Sequence, residues 1–247
     1  MRSANPALSD KTFTGFETVQ RTDVMTVDGC VNKTAVLLGL VSISAVYTWN
    51  IYTDTKSLAA VTPYLWTGAI GGFVMALITI FNQRLAGITS PIYALLEGLV
   101  LGGISAVTEA RFPGIVMQAV CLTFGTLFCL LMAYKSGLIK ATENFKLGIV
   151  AATGAVALVY LAGFILGFFG IEIPYIHGSG IIGIGFSLFV VAIAALNLVL
   201  DFDFIEKGAE SGAPKYMEWY GAFGLMVTLV WLYLEILRLL AKSRSRK

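Results

Sequence analysis

Asp201, Asp203 and Glu206 close a long uncharged run, in Leu198-Val-Leu-Asp201-Phe-Asp203-Phe-Ile-Glu206-Lys207. A further acid, Glu235, interrupts the next apolar run, in Trp231-Leu-Tyr-Leu-Glu235-Ile-Leu-Arg238. Carboxylates in such places bind protons or cations. Holding one ionised at the centre of a membrane helix costs about 2.5–3.5 kcal/mol on insertion scales. The cost falls if the group takes a proton, pairs with a cation or faces water, and each escape makes it responsive to pH or to ions. Arg238 follows Glu235 by three residues, the spacing of neighbours on one helix face. Arg84 ends an earlier apolar run, in Phe81-Asn-Gln-Arg84, and Glu97 lies inside another, in Tyr93-Ala-Leu-Leu-Glu97-Gly98. Asp203 and Glu206 suit headgroup water, and Glu97 suits a hydrogen bond to a neighbouring helix.

Other chemistries find no residues to carry them. Gly178-Ser-Gly180-Ile-Ile-Gly183 fits the dinucleotide-binding pattern, but that pattern requires a preceding strand and a βαβ unit. The one histidine, His177, excludes HExxH zinc chemistry, and Gly185-Phe-Ser187 lacks the nucleophile-elbow pattern. Cys30, Cys121 and Cys129 form no CxxC pair. No enzyme, no resident metal and no cofactor is expected. Basic residues gather in loops and tails, where they report topology and not nucleic-acid binding.

Of the 247 residues, 57% are hydrophobic and only 13% charged, against about 25% charged in a soluble domain. An all-α polytopic membrane protein follows. A span needs about 20 apolar residues. Seven runs qualify: Thr34–Tyr52, Pro63–Phe81, Pro91–Val107, Gly114–Tyr134, Leu147–Phe169, Gly178–Leu200 and Tyr220–Leu240. They divide the chain into a polar segment 1–33, a membrane domain 34–241 and a basic tail 242–247. Some thirty polar residues precede the first run, so it acts as its own insertion signal, and Phe13 and Phe16 are candidate interface anchors. Pro63, Pro91, Pro113, Pro174 and Pro214 fall at expected helix starts. Gly68 and Gly72, Gly98 and Gly102, and Gly163 and Gly167 make small-xxx-small steps, which allow close helix approach.

With the N-terminus inside, the inner loops hold Arg2, Lys11, Arg21, Lys33, Arg84, Lys135, Lys140, Lys146, Lys207 and Lys215. The outer loops hold Lys56 and Arg111, an asymmetry that sets orientation. Seven spans put the tail outside, with Lys242, Arg244, Arg246 and Lys247; a re-entrant last helix would return it. With the N-terminus inside, the sequon Asn32-Lys-Thr34 lies on the inner side and would go unused. The sixth helix must run past Asp201 toward Glu206 if its acids are to approach Glu235.

Asp201 with Ile205-Glu206-Lys207, the acid in Leu232-Tyr-Leu-Glu235-Ile, Arg84, Ile92-Tyr-Ala-Leu-Leu-Glu97-Gly-Leu and Phe112-Pro-Gly-Ile-Val-Met-Gln118 resemble the Bax inhibitor (transmembrane Bax inhibitor motif) family, in a bacterial branch like YccA. The resemblance spans all seven runs and implies a last helix wrapped by the others. It implies that Asp201 and Glu235 share a proton and close a pore, with Arg84 as counter-charge. Glu97 is then a pore or packing acid, and Asp203, Glu206 and Arg238 are accessory. Deprotonation would release a leak of calcium, the permeant ion, across a bacterial inner membrane. The alternative is a regulator that binds other membrane proteins, such as a membrane AAA protease. The family has Asp where this chain has Glu235.

Overall fold

The computed structural model describes residues 24–170, Gly178 and residues 180–246. The N-terminal segment with Phe13, Phe16, Arg2, Lys11 and Arg21 lies outside the described residues, as do Pro174, His177 and Lys247. Seven helices follow in order: α1 Val27–Thr55, α2 Leu58–Phe81, α3 Ala86–Arg111, α4 Ile115–Lys135, α5 Glu143–Phe168, α6 Ile181–Glu210 and α7 Met217–Ser245. Each is long and apolar enough to cross a bilayer. The protein is an all-α, integral membrane protein. At 29 residues, α7 is about 43 Å long, beyond the ~30 Å of a hydrocarbon core, so it has the length of a span and needs no re-entrant turn. It is also the most enclosed helix: 61% of its most apolar stretch is buried, against 11% for α5. Exposed Trp66, Phe73, Phe81, Phe128 and Phe164 give the outer faces an apolar coat suited to lipid.

Several boundaries differ from the expected ones, for physical reasons. The first helix begins at Val27 and not at Thr34, so Cys30 and the sequon lie inside it. Its polar first turns are supported locally and from far along the chain. Thr26 caps the helix by accepting from the Gly29 amide, and Lys33 pairs with Glu218. Pro63 and Pro91 lie inside α2 and α3, the sixth residue of each, not at the start. Pro113 and Pro214 do precede α4 and α7. The sixth helix runs on to Glu210, and 211–216 is the whole of the last connection.

The chain forms two compact units. One holds residues 24–113 with Phe204–Met226, and so contains α1, α2, α3, the end of α6 and the start of α7. Two of the glycine steps shape it. Gly68 packs on the Leu96 carbonyl of α3. A Cβ on Gly98 would collide with Ser44 Oγ and the Val41 carbonyl of α1, and one on Gly102 with the Ala45 carbonyl and Thr48 Oγ1. The Thr48 hydroxyl uses this proximity to donate to the Leu99 carbonyl at 3.0 Å. At Gly167 a Cβ would meet nothing within 4 Å, so close packing does not explain that glycine. The start of α7 is anchored here by Glu218. It is fully buried and accepts from the Thr26 amide and hydroxyl, both at 2.9 Å, and from Lys33.

The other unit holds Gly114–Asp203 and residues 227–246, and so contains α4, α5, most of α6 and most of α7. Polar side chains tie its apolar helices together. Asn197 on α6 donates to Thr153 on α5 at 2.8 Å. Lys146 on α5 pairs with Asp203 on α6 at 2.9 Å. Arg244 on α7 donates to Gln118 on α4 at 3.0 Å.

Gly98→Ala should lower the melting temperature of the purified protein in detergent, because overpacking costs about 1–3 kcal/mol. Gly39→Ala on α1, with nothing within 4 Å of its Cβ, should leave it unchanged or raise it by the ordinary helix preference for Ala.

Candidate functional site: a polar seam on α5, α6 and α7

Four acids are buried among the described residues: Asp201, Asp203, Glu218 and Glu235. Three have cations. Glu218 has Lys33, with Lys215 at 3.5 Å. Asp203 has Lys146, and Glu235 has Arg238 at 2.9 Å. The fourth, Asp201, is only 1% exposed, and neither carboxylate oxygen completes a hydrogen bond with the protein. The Thr228 hydroxyl of α7 faces it. Burying an acid in this way is costly unless it is protonated or joined by a cation. Lys146 is not spare, since it also serves Glu143 at 3.2 Å.

The register of α6 against α7 fixes where the acids stand. Lys242 on α7 donates to Ser187 Oγ at 2.9 Å and to the Gly183 carbonyl at 3.2 Å on α6. Asp201 faces Thr228. Fourteen residues separate Ser187 from Asp201, and fourteen separate Thr228 from Lys242. Both contacts therefore fit one antiparallel pairing. Glu235 is the midpoint of the α7 stretch and falls opposite Ala194. It is displaced from the Asp201 level by two helical turns, about 10 Å along the axis.

Glu235 turns instead to α5. The Tyr160 hydroxyl donates to its two oxygens at 2.9 and 3.0 Å. Arg238 Nη1 lies 2.9 and 3.1 Å from the same oxygens and 2.7 Å from the Tyr160 hydroxyl. The guanidinium also stacks on the Tyr160 ring, 5.1 Å from its centroid. The ring in turn meets Phe186 of α6 edge-on at 6.3 Å.

The expected shared proton between Asp201 and Glu235 is thus not formed in this structure: no hydrogen bond joins them, for the register keeps them two turns apart. Arg84 is exposed on the 3₁₀ turn Gln83–Leu85 of the other unit, and Glu235 takes its counter-charge from Arg238. Glu97 is half-buried on α3, with a carboxylate oxygen 3.6 Å from the position a Cβ on Gly72 would take. It reads as a packing acid of that unit. Glu206 is exposed near the end of α6, as headgroup placement requires, whereas Asp203 is buried with Lys146 and not solvated.

The sequence profile described as Bax inhibitor 1 like matches residues 5–245. The chain belongs to that family. Neither the curated proteins nor the solved structures gave a match. The residues through which the chain resembles the Bax inhibitor family include Asp201 and Glu235, and those two are distinguished here by opposite circumstances, one without a cation and one tightly held.

Tyr160, Lys146, Thr228 and the Ser187–Lys242 contact went unforeseen. A signal existed. Lys146, Thr153 and Tyr160 on α5 recur every seven residues, as do Thr228, Glu235 and Lys242 on α7, while Ser187 and Asp201 stand two such steps apart on α6. A seven-residue recurrence marks one face of a helix.

Asp201→Asn and Glu218→Gln should move stability in opposite directions. The first removes a buried acid with no cation and should hold or raise the melting temperature in detergent at neutral pH. The second strips a buried pair of its charge and should cost about 3 kcal/mol.

Proposed function

We propose that this Bax inhibitor family protein is a pH-sensitive, calcium-permeable leak channel or transporter, with Asp201 as the group that senses protons. The observation that supports this reading is the buried Asp201 carboxylate, left without a cation while Asp203, Glu218 and Glu235 each have one. With a proton, Asp201 is neutral and compatible with a closed seam of helices. Without it, the charge demands water or a cation, and the seam must loosen to admit one.

The seam supplies suitable ligands. Asp201, Thr228, Asn197, Thr153, Glu235 and Tyr160 present oxygen atoms on α5, α6 and α7, and hard cations such as calcium prefer oxygen. Tyr160 and Arg238 keep Glu235 satisfied in the closed form, so opening at Asp201 and opening at Glu235 are separate events two turns apart. In our reading the protein sits in a bacterial inner membrane with its N-terminus cytoplasmic, as the loop lysines and arginines suggest.

Purified protein in calcium-dye-loaded liposomes should show calcium entry that rises several-fold from about pH 6 to about pH 8, as the proton is lost. Asp201→Asn, fixed in the neutral form, should stay at the low level throughout. A wild type without flux at any pH, and indistinguishable from Asp201→Asn, would contradict the channel and favour a regulator of other membrane proteins, such as a membrane AAA protease.

A further inference from the structure

Three oxygens converge on a single nitrogen at the Glu235 level. Arg238 Nη1 lies 2.7 Å from Tyr160 Oη, 2.9 Å from Glu235 Oε1 and 3.1 Å from Glu235 Oε2. The acid is 2% exposed, whereas the Arg238 side chain is 44% exposed. The cation therefore enters from the surface, and the cradle it fills belongs to the interior. A guanidinium needs no such cradle merely to remain charged. Held by one nitrogen, it forgoes the two-pronged pairing that arginine and carboxylate ordinarily prefer. The hydroxyl that donates to the carboxylate also accepts from the arginine, so Tyr160 completes the oxygen set and does not simply pack against it.

We propose that Glu235 and Tyr160 form a binding site for a hard divalent cation, and that Arg238 is a tethered cation occupying that site until a mobile one displaces it. The proposal rests on the channel reading for its role in permeation: exchange of the guanidinium for calcium is the second opening event, separate from proton loss at Asp201. Calcium takes six to eight oxygens, and this site offers about three from protein, the rest falling to water. It is a weak site by design of its ligand count, as a conduction pathway needs: favourable enough to enter and weak enough to leave. Arg238 leaves by swinging about its own side chain into the headgroup region, where long cationic side chains are at ease. Tyr160 is a positioning residue for Arg238 when the site is closed and a ligand when it is open.

Terbium luminescence tests the site without depending on flux, because tyrosine sensitises the ion only at close range. In full-length protein in detergent, Arg238→Gln should bind terbium at several-fold lower concentration than wild type, with new tyrosine-sensitised emission that calcium competes away. Adding Glu235→Gln to Arg238→Gln should abolish that gain, adding Tyr160→Phe should weaken terbium binding several-fold by titration calorimetry, and Arg238→Lys should restore wild-type behaviour. In liposomes at high pH, Arg238→Gln should raise calcium entry several-fold, with a lower half-saturating calcium. If Arg238→Gln folds, by its size-exclusion profile, yet gains neither emission nor flux over wild type, the tethered-cation site is overturned. If Arg238→Gln does not fold, Arg238→Met decides by the same emission: a gain over wild type that Glu235→Gln removes upholds the site, and no gain overturns it. Terbium binding as expected with no calcium flux in any variant keeps the site and removes the channel.

Discussion

A carboxylate enclosed by apolar helices must be neutralised, and this protein meets that demand in two ways. Glu218, Asp203 and Glu235 are neutralised by protein cations: Lys33, Lys146 and Arg238. Two of these pairs, Glu218 with Lys33 and Asp203 with Lys146, join distant parts of the chain. Glu218 and Lys33 are 185 residues apart, and their pairing supports the polar beginning of α1. Asp201 is left to be neutralised from outside the chain, by a proton or an ion. A buried acid that receives no cation where its neighbours do is the group on which the proposed function rests.

The packing of α6 on α7 enforces that division. Ser187 with Lys242 and Asp201 with Thr228 set a single antiparallel pairing, and that register puts Glu235 opposite Ala194. Alanine offers nothing to a carboxylate, so Glu235 reaches to Tyr160 on α5. The two acids that share a proton in the mechanism implied by the family resemblance are here held by different helices at different depths. Glu235 in place of Asp suits this arrangement. Its extra methylene lets the carboxylate leave the α6 face and arrive between the tyrosine and the arginine.

Much of this was legible in the residues. Seven apolar runs gave seven helices, and Asp201, Glu235 and Arg238 were singled out by their cost in hydrocarbon. Gly68, Gly98 and Gly102 of those steps proved to be close approaches, as small residues four apart in an apolar run allow. What the runs concealed had a common cause. Hydropathy reads a polar residue as a boundary, and it cannot see a partner far along the chain. Val27 to Lys33 looked like a polar leader because Glu218 was out of view. Lys242 looked like a free tail because its acceptors are on α6. Pro63 and Pro91 looked like helix starts because local rules place proline there, whereas a preceding turn formed anyway. The counter-charge of Glu235 was assigned to Arg84 through resemblance, although Arg238 stood at the right helical spacing.

Cross-linking measures the register of α6 on α7 directly, and the account depends on it. In a background with Cys30, Cys121 and Cys129 replaced, cysteine pairs are introduced in native membranes and treated with a short bifunctional thiol reagent. Ser187→Cys with Lys242→Cys, and Ala194→Cys with Glu235→Cys, should cross-link efficiently at acidic pH, while Asp201→Cys with Glu235→Cys should not. Efficient cross-linking of the 201–235 pair, with the other two silent, would place the acids side by side and contradict the separation on which everything above rests.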